Sequence, residues 1–381
     1  MNALHRNLLS CALVGCVSAH AAPFLAIGDN AELFLTATTG VRYEDNTLLT
    51  ENNTVDDVIL EFVPGIELIF GKDALLSGSF VVQEKFTHYV DTDRINSNLE
   101  SYFFKSKYNN AKLSVSANAS YRELQQNSRD ILNAATLTRR DALDAGINGE
   151  LVMTEKTKIG AGISYGKTDY KTAGFNDSSS ITVPVNFYYA IRPKIDLSLG
   201  VRHRETEIDG AVPNADYSDT YYNVGARGEF TSKLSGRFSV GITDRDPETG
   251  SGSTMLGLDF DLNYALSPKT SLFLNLSNDF DASSTGGTSQ EVLSVTLGGS
   301  TQFNANLSGS ASVRYQQADY DSIPPAIPRQ DDFIVFSVSS AYAFNQHISA
   351  VLAYSFQDND SNTPGASFTA NVISLSAVFR Y

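Results

Sequence analysis

The chain has 381 residues, with 43 Asp and Glu against 28 Lys and Arg, 18 Tyr, 22 Phe, no Trp and two Cys. Mean hydropathy is -0.16, and no run of 18 apolar residues exists, which excludes a helical membrane protein. A net charge of -15 argues against nucleic acid as a partner, and the wealth of aromatic and β-branched residues argues against a disordered chain. One membrane class remains that is polar on average, the closed β-barrel.

The amino terminus reads as an address. Arg6 precedes the short apolar stretch Leu8 to Val17, and Ala19-His20-Ala21 offers a small-x-small cleavage site, so residues 1–21 are expected to be a signal peptide. Leu13-Val14-Gly15-Cys16 offers an alternative, lipidation at Cys16. Both cysteines lie in this segment, so ordinary cleavage removes disulfides, Cys-ligated metal and Cys nucleophiles together. Residues 22–31 are then a short periplasmic segment, too brief for a plug domain, and 32–381 the barrel.

A hairpin-sized repeat follows. Descending segments end on Phe70, Tyr108, Met153, Tyr189, Phe230, Tyr264, Phe303, Phe344 and Tyr381, a spacing of about 39 residues. Brief polar turns come after them, among them Lys72-Asp73, Arg192-Pro193-Lys194 and Asn345-Gln346-His347. The segments alternate: Leu256, Leu258, Phe260, Leu262 and Tyr264 share one face, opposite Gly257, Asp259, Asp261 and Asn263. Segment 99–108 and region 131–145 alternate poorly.

Three features favour a transmembrane barrel over a soluble sandwich. The aromatics form a girdle at one end of the strands. That end has short turns, whereas the other has longer acidic loops near 44–57, 90–97, 127–139, 170–179, 209–217, 244–252, 279–289, 317–331 and 358–366. The chain ends on an alternating strand, Ile373 to Tyr381, which resembles the signal read by the barrel-assembly machinery. The expectation is an all-β, antiparallel up-and-down barrel of about 18 strands in the bacterial outer membrane, facing lipid and lipopolysaccharide. Loop 127–139 and the Pro-rich 317–331 are the candidates to fold inward and narrow the lumen.

The lumen face is expected to carry Glu61, Glu67, Asp144, Glu150, Asp259 and Asp261 with Lys112, Arg122, Arg202, Arg204, Arg227, Arg237 and Arg314. Such groups either set a field that biases solutes or form a solvated wall of local ion pairs. Lumen Tyr188 and Tyr221 are a weak sugar-stacking signal. Ala161 to Thr168 satisfies a relaxed phosphate-loop pattern with Ala in the first position, but alternation of Ile159, Ala161, Ile163 and Tyr165 runs through it, so a Gly-lined strand is expected. His88, His203 and His347 are too scattered to suggest a metal or nucleophile–base site. No cofactor, metal or enzymatic activity is expected. Outer-loop acids such as Asp56, Asp57, Asp331 and Asp332 are taken as solvated rather than as a Ca²⁺ or Mg²⁺ site.

Gly40-Val41-Arg42-Tyr43-Glu44-Asp45-Asn46-Thr47-Leu48-Leu49, followed by Asp57 to Gly65 with Pro64-Gly65, resembles the opening of the Putative beta-barrel porin 2 family. The resemblance implies an outer-membrane barrel linked to polysaccharide export. The function expected is a passive channel for small hydrophilic solutes or polysaccharide. Its rival is a structural or adhesive surface barrel without significant conductance.

Overall fold

The computed structural model describes residues 22–129, 136–210, 215–282, 289–320 and 328–381. A three-residue strand, β1 (Leu25–Ile27), precedes β2 (Ala31–Glu44), β3 (Asp57–Phe70), β4 (Leu76–Tyr89), β5 (Ser97–Asn109), β6 (Leu113–Gln125), β7 (Arg139–Val152), β8 (Thr157–Tyr170), β9 (Asp177–Arg192) and β10 (Ile195–Asp209). Then come β11 (Tyr217–Glu229), β12 (Leu234–Pro247), β13 (Ser253–Ser267), β14 (Thr270–Ala282), β15 (Ser289–Gln302), β16 (Leu307–Tyr320), β17 (Arg329–Ala343), β18 (Ile348–Ser361) and β19 (Phe368–Arg380). Each strand from β2 to β19 pairs antiparallel with its sequence neighbours, and β19 pairs with β2 from Val372↔Glu44 to Arg380↔Thr36. The result is a closed barrel of 18 long strands. Of the two poorly alternating stretches, 99–108 lies in β5, and 131–145 is strand from Arg139 onward, in β7.

Most long strands have 13 to 15 residues, more than the roughly 9–11 needed to cross a bilayer. They therefore project beyond lipid at the loop end. There β12, β14, β16 and β18 run several residues into the expected loops 244–252, 279–289, 317–331 and 358–366. The opposite end has tight turns. Gly71 at φ +72° makes the first of these, and a Cβ there would lie 1.9 Å from the Leu76 carbonyl oxygen.

Alternation sorts the faces. Leu60, Phe62 and Ile66 on β3, Leu197, Leu199 and Val201 on β10, and Leu352 and Leu375 across the β18–β19 pair are exposed apolar side chains on the outer face. Their neighbours in sequence point inward and meet one another across strands. The clusters of buried apolar residues lie at the loop end. One joins Ile59, Tyr89, Ile95 and Leu137 with Leu48 against it, and another joins Phe333, Val335 and Phe368 with Leu49 against it. The segment between β2 and β3 thus tucks consecutive leucines into the mouth.

At the turn end, β1 pairs with β2 through Leu25↔Leu33 and Ile27↔Ala31, next to the last residue of the chain. Tyr381 exchanges both main-chain hydrogen bonds with Leu35, at 2.7 and 2.9 Å, and its ring meets Phe24 edge-on.

Candidate functional site: the barrel interior

The girdle residues gather at the turn end. Tyr189, Tyr264, Phe303, Phe344 and Tyr381 are exposed there, together with Met153. Phe70, Tyr108 and Phe230 are half-buried on the same face. Phe230 stacks at 5.7 Å on the outward Phe238, and Tyr108 lies opposite exposed Leu76. An amphipathic ring at this level suits the lipid–water boundary.

Inside, the acids and bases expected to face the lumen are brought together. Arg122 meets Asp144 at 3.0 Å, Arg227 meets Glu150 at 2.7 Å, and Arg237 comes within 3.8 Å of Asp259. Glu61 is held by Lys85 at 2.6 Å and Arg42 at 3.3 Å, and Glu67 by Arg380 at 2.9 Å. Arg380 in turn stacks 3.6 Å over Phe34. Asp261 lines a cavity at the turn end with Arg227 and Arg237. Arg314 lines the central cavity. Lys112 is different: it lies in the exposed turn between β5 and β6, where the chain has left the wall, and is no lumen residue.

The densest network involves residues that the sequence did not single out. Asp219 receives Arg204 at 2.6 Å and Arg245 at 2.6 Å, and Arg202 and Arg204 reach Asp279 at 2.8 and 3.4 Å. Arg204, Asp219 and Arg245 are each at most 6% exposed. Lower on the same wall, Asp196 takes Lys158 at 2.8 Å and Arg227 at 3.0 Å. Asp196 has the strand parity of Arg202 and Asp219 that of Arg227, and carrying that parity along β10 and β11 would have found them.

The network reaches across from β10 to β14 because the wall is split. The ladder between β13 and β14 begins only at Leu258↔Asn278, below the start of β13 at Ser253. Above it, the end of β14 leans inward and packs on β10 to β12, so Phe280 is 4% exposed under the Arg245 guanidinium at 4.1 Å. Tyr188 and Tyr221 do face inward, but arginines cover them. Arg227 lies 3.5 Å over Tyr188 and Arg202 lies 5.0 Å over Tyr221, leaving no free platform for a sugar ring.

One of the two loops expected to fold inward does so in its described part. Beyond β6, the Asn127 amide donates to the Leu48 carbonyl at 2.9 Å. Arg129 then reaches the far side of the barrel: Gln290 on β15 at 3.2 Å, the Tyr320 hydroxyl on β16 at 3.4 Å, and Asp331 on β17 at 3.9 Å. Arg329 clamps Asp331 and donates to the Arg129 carbonyl at 2.8 Å. Segments 126–129 and 136–138 thus narrow the mouth. Most of the Pro-rich candidate, 321–327, lies outside the described residues.

Several outer-loop acids are structural rather than solvated. Asp57, 1% exposed, accepts main-chain N–H groups of Val90, Asp91 and Thr92 and the Thr92 hydroxyl. Asp331 is fully buried. Asp45 accepts from both the backbone and side chain of Asn371 at 2.6 Å. Among the described residues no group of three or more His, Cys, Asp or Glu is placed to hold a metal ion. The phosphate-loop pattern lies within the regular strand β8, opposite β7 and β9, with no helix after it.

A closed antiparallel barrel, apolar outside, ion-paired inside and short-turned at one end, is an outer-membrane protein of porin type. The Putative beta-barrel porin 2 family model matches residues 209–381, from the end of β10 to the carboxy terminus. The match lies on the other half of the barrel from residues 40–65, where the resemblance is read. None of the curated proteins compared with the chain matches it in sequence.

Among solved structures, the chain is similar to OpdQ of Pseudomonas aeruginosa, with 10% identity, TM-score 0.49 and 93% and 100% of the two chains covered. OccAB4 of Acinetobacter baumannii gives 10% identity and TM-score 0.47 over 92% of this chain and 98% of that one. The siderophore receptor PiuA of the same organism gives 10% and 0.48 over 94% and 82%.

Proposed function

We propose that this barrel is a passive outer-membrane channel for small hydrophilic solutes or polysaccharide. The observation that carries this is the interior: a polar wall whose ionic groups are paired with one another, narrowed at the mouth by segments 126–129 and 136–138. Eighteen strands enclose more space than wall side chains fill. The ion pairs satisfy the wall without a ligand, so polar solutes pass over groups that need no partner from them. Enzymatic chemistry has no support in the family match. Glu61, Glu67, Asp144, Glu150, Asp259, Asp261 and their arginine partners line the route. The outer girdle meets lipid and lipopolysaccharide, and the last strand offers its aromatic end to the assembly machinery. Residues 1–21 serve as the export signal.

The test is single-channel conductance of the refolded mature protein in a planar bilayer under a salt gradient. Stable current steps support a channel. An inserted, heat-modifiable barrel without conductance overturns it and leaves a surface-structural role.

A further inference from the structure

One inward arginine stands apart from the ion-paired wall. Arg140 begins the inward row of β7 at the mouth, opposite Leu124 on β6 and Tyr170 on β8. It is 5% exposed and lines a cavity of about 450 Å³, together with Gln126, Asn127 and Leu137 of the infolded segments. Its Nη1 donates to the Gln126 carbonyl at a long 3.4 Å, and its guanidinium lies 5.7 Å from the centre of the Tyr170 ring. Its Nε is buried without a hydrogen-bond partner, and no carboxylate among the described residues pairs with it.

The nearest acids are turned away or engaged. Asp141 has the outward parity of exposed Leu143 and pairs with Lys171 at 3.1 Å. Asp144, four residues along β7, takes Arg122 at 3.0 Å. The inward residues closest to Arg140 on the adjoining strands, Leu124, Thr168, Tyr170 and Ser178, carry no charge. The cavity as a whole shares this imbalance. Arg314 and Arg129 line it with Arg140, as do Arg42 and Lys85, against only Glu44, Glu61 and Asp281. Glu44 and Glu61 are held by Arg42 and Lys85, Asp281 is engaged as well, and Arg129 shares Asp331 with Arg329. The cavity is therefore cationic inside a chain whose net charge is -15.

We propose that Arg140 is the anion-holding centre of a subsite for small organic acids. Leaving donors of a buried cation unmade is costly, and a carboxylate fits the planar fork of a guanidinium. Leu99, Leu137 and Phe333 line the same cavity and match the hydrocarbon part of such a ligand. A fully hydrated inorganic anion has no use for them. The inference names a solute class for the channel and rests on that reading only for the ligand's route of access.

The experiment titrates butyrate, butyramide and inorganic phosphate against the refolded barrel in detergent by saturation-transfer NMR, and records current from the same barrel in a planar bilayer. Butyrate is expected to bind roughly tenfold more tightly than butyramide, which brings no charge to Arg140. Arg140→Gln is expected to weaken butyrate about tenfold, the equivalent of one charge-assisted hydrogen bond, and to leave butyramide unchanged. Lys112→Gln, which removes the same charge from an exposed turn, is expected to change neither. Equal affinity for acid and amide, tighter binding of phosphate, or wild-type butyrate affinity in Arg140→Gln overturns the subsite. Should Arg140→Gln not fold, the comparison of acid with amide on the wild-type barrel decides. Butyrate binding without current upholds the subsite while the channel reading fails, and current without butyrate binding overturns the subsite while the channel reading stands.

Discussion

The guanidinium of Arg204 donates to the main-chain carbonyl of Phe280 at 2.8 Å, joining β10 directly to β14 across the interior. This contact holds the inward lean of β14 in place. It also ties the buried carboxylate of Asp219 and the half-buried one of Asp279 to the same cation.

Arg204→Ala is accordingly expected to destabilise the barrel by about 3–5 kcal/mol, because it leaves buried acids short of a partner. Urea unfolding in lipid vesicles, followed by the heat-modifiable gel shift, measures this. A loss below about 1 kcal/mol, the worth of a surface pair, would show the network to be solvated instead.

Arg129 and Asp331 govern the mouth. Arg129→Ala removes the contacts to Gln290, Tyr320 and Asp331 together, while leaving the ladder of β6 with β7 intact. The expected outcome is a larger single-channel conductance with unchanged folding. Conductance equal to wild type would mean that the segment does not limit the pore.

Neutralising interior acids should have unequal effects on ion selectivity. The Asp259 side chain is 40% exposed and 3.8 Å from Arg237, whereas that of Glu61 is 14% exposed between Arg42 and Lys85. Asp259→Asn should therefore move the reversal potential in a salt gradient more than Glu61→Gln. Glu61→Gln should instead lower stability, since Lys85 and Arg42 lose their shared partner. The reverse order would place the conducting path against β3.

Asp57→Ala strips a carboxylate that three backbone N–H groups and a hydroxyl share. The turn holding Asp93–Ile95 should loosen at a cost of about 2 kcal/mol, and trypsin should cut after Arg94 faster than in wild type. An unchanged cleavage rate would show that the Ile59, Tyr89 and Ile95 cluster holds the turn by itself.

Where one face meets lipid, the architecture could be read from the sequence. Alternation at Leu256 to Tyr264 placed Asp259 and Asp261 inside, and the aromatic ends gave the strand count and the short turns. Legibility stopped where the strands rise above the membrane. There both faces are polar, as at Asp244, Arg245 and Asp246, so the period-two signal vanishes and strand reads as loop. Asp279 and Arg245 were missed for that reason. The inward lean of β14 and the reach of Arg129 are encoded in contacts between distant strands, which no local pattern records. The resemblance at Tyr43 to Leu49 marked a structural device: Asp45 and Asn46 bind β19, while Leu48 and Leu49 fill the mouth.

The bond between Asp45 and Asn371 spans 326 residues of chain, and Asn46 reaches the Thr369 carbonyl over 323. Bringing such ends together costs about 3 kcal/mol more entropy than closing a hairpin. Every other pair of neighbouring long strands joins segments adjacent in the chain and can zip locally. The seam of β2 with β19 is therefore the last to form, and its side-chain staples act as a latch on a cylinder already curled. Asn371→Ala removes one such staple and leaves the β2–β19 ladder in place, so it is expected to slow closure rather than to prevent it.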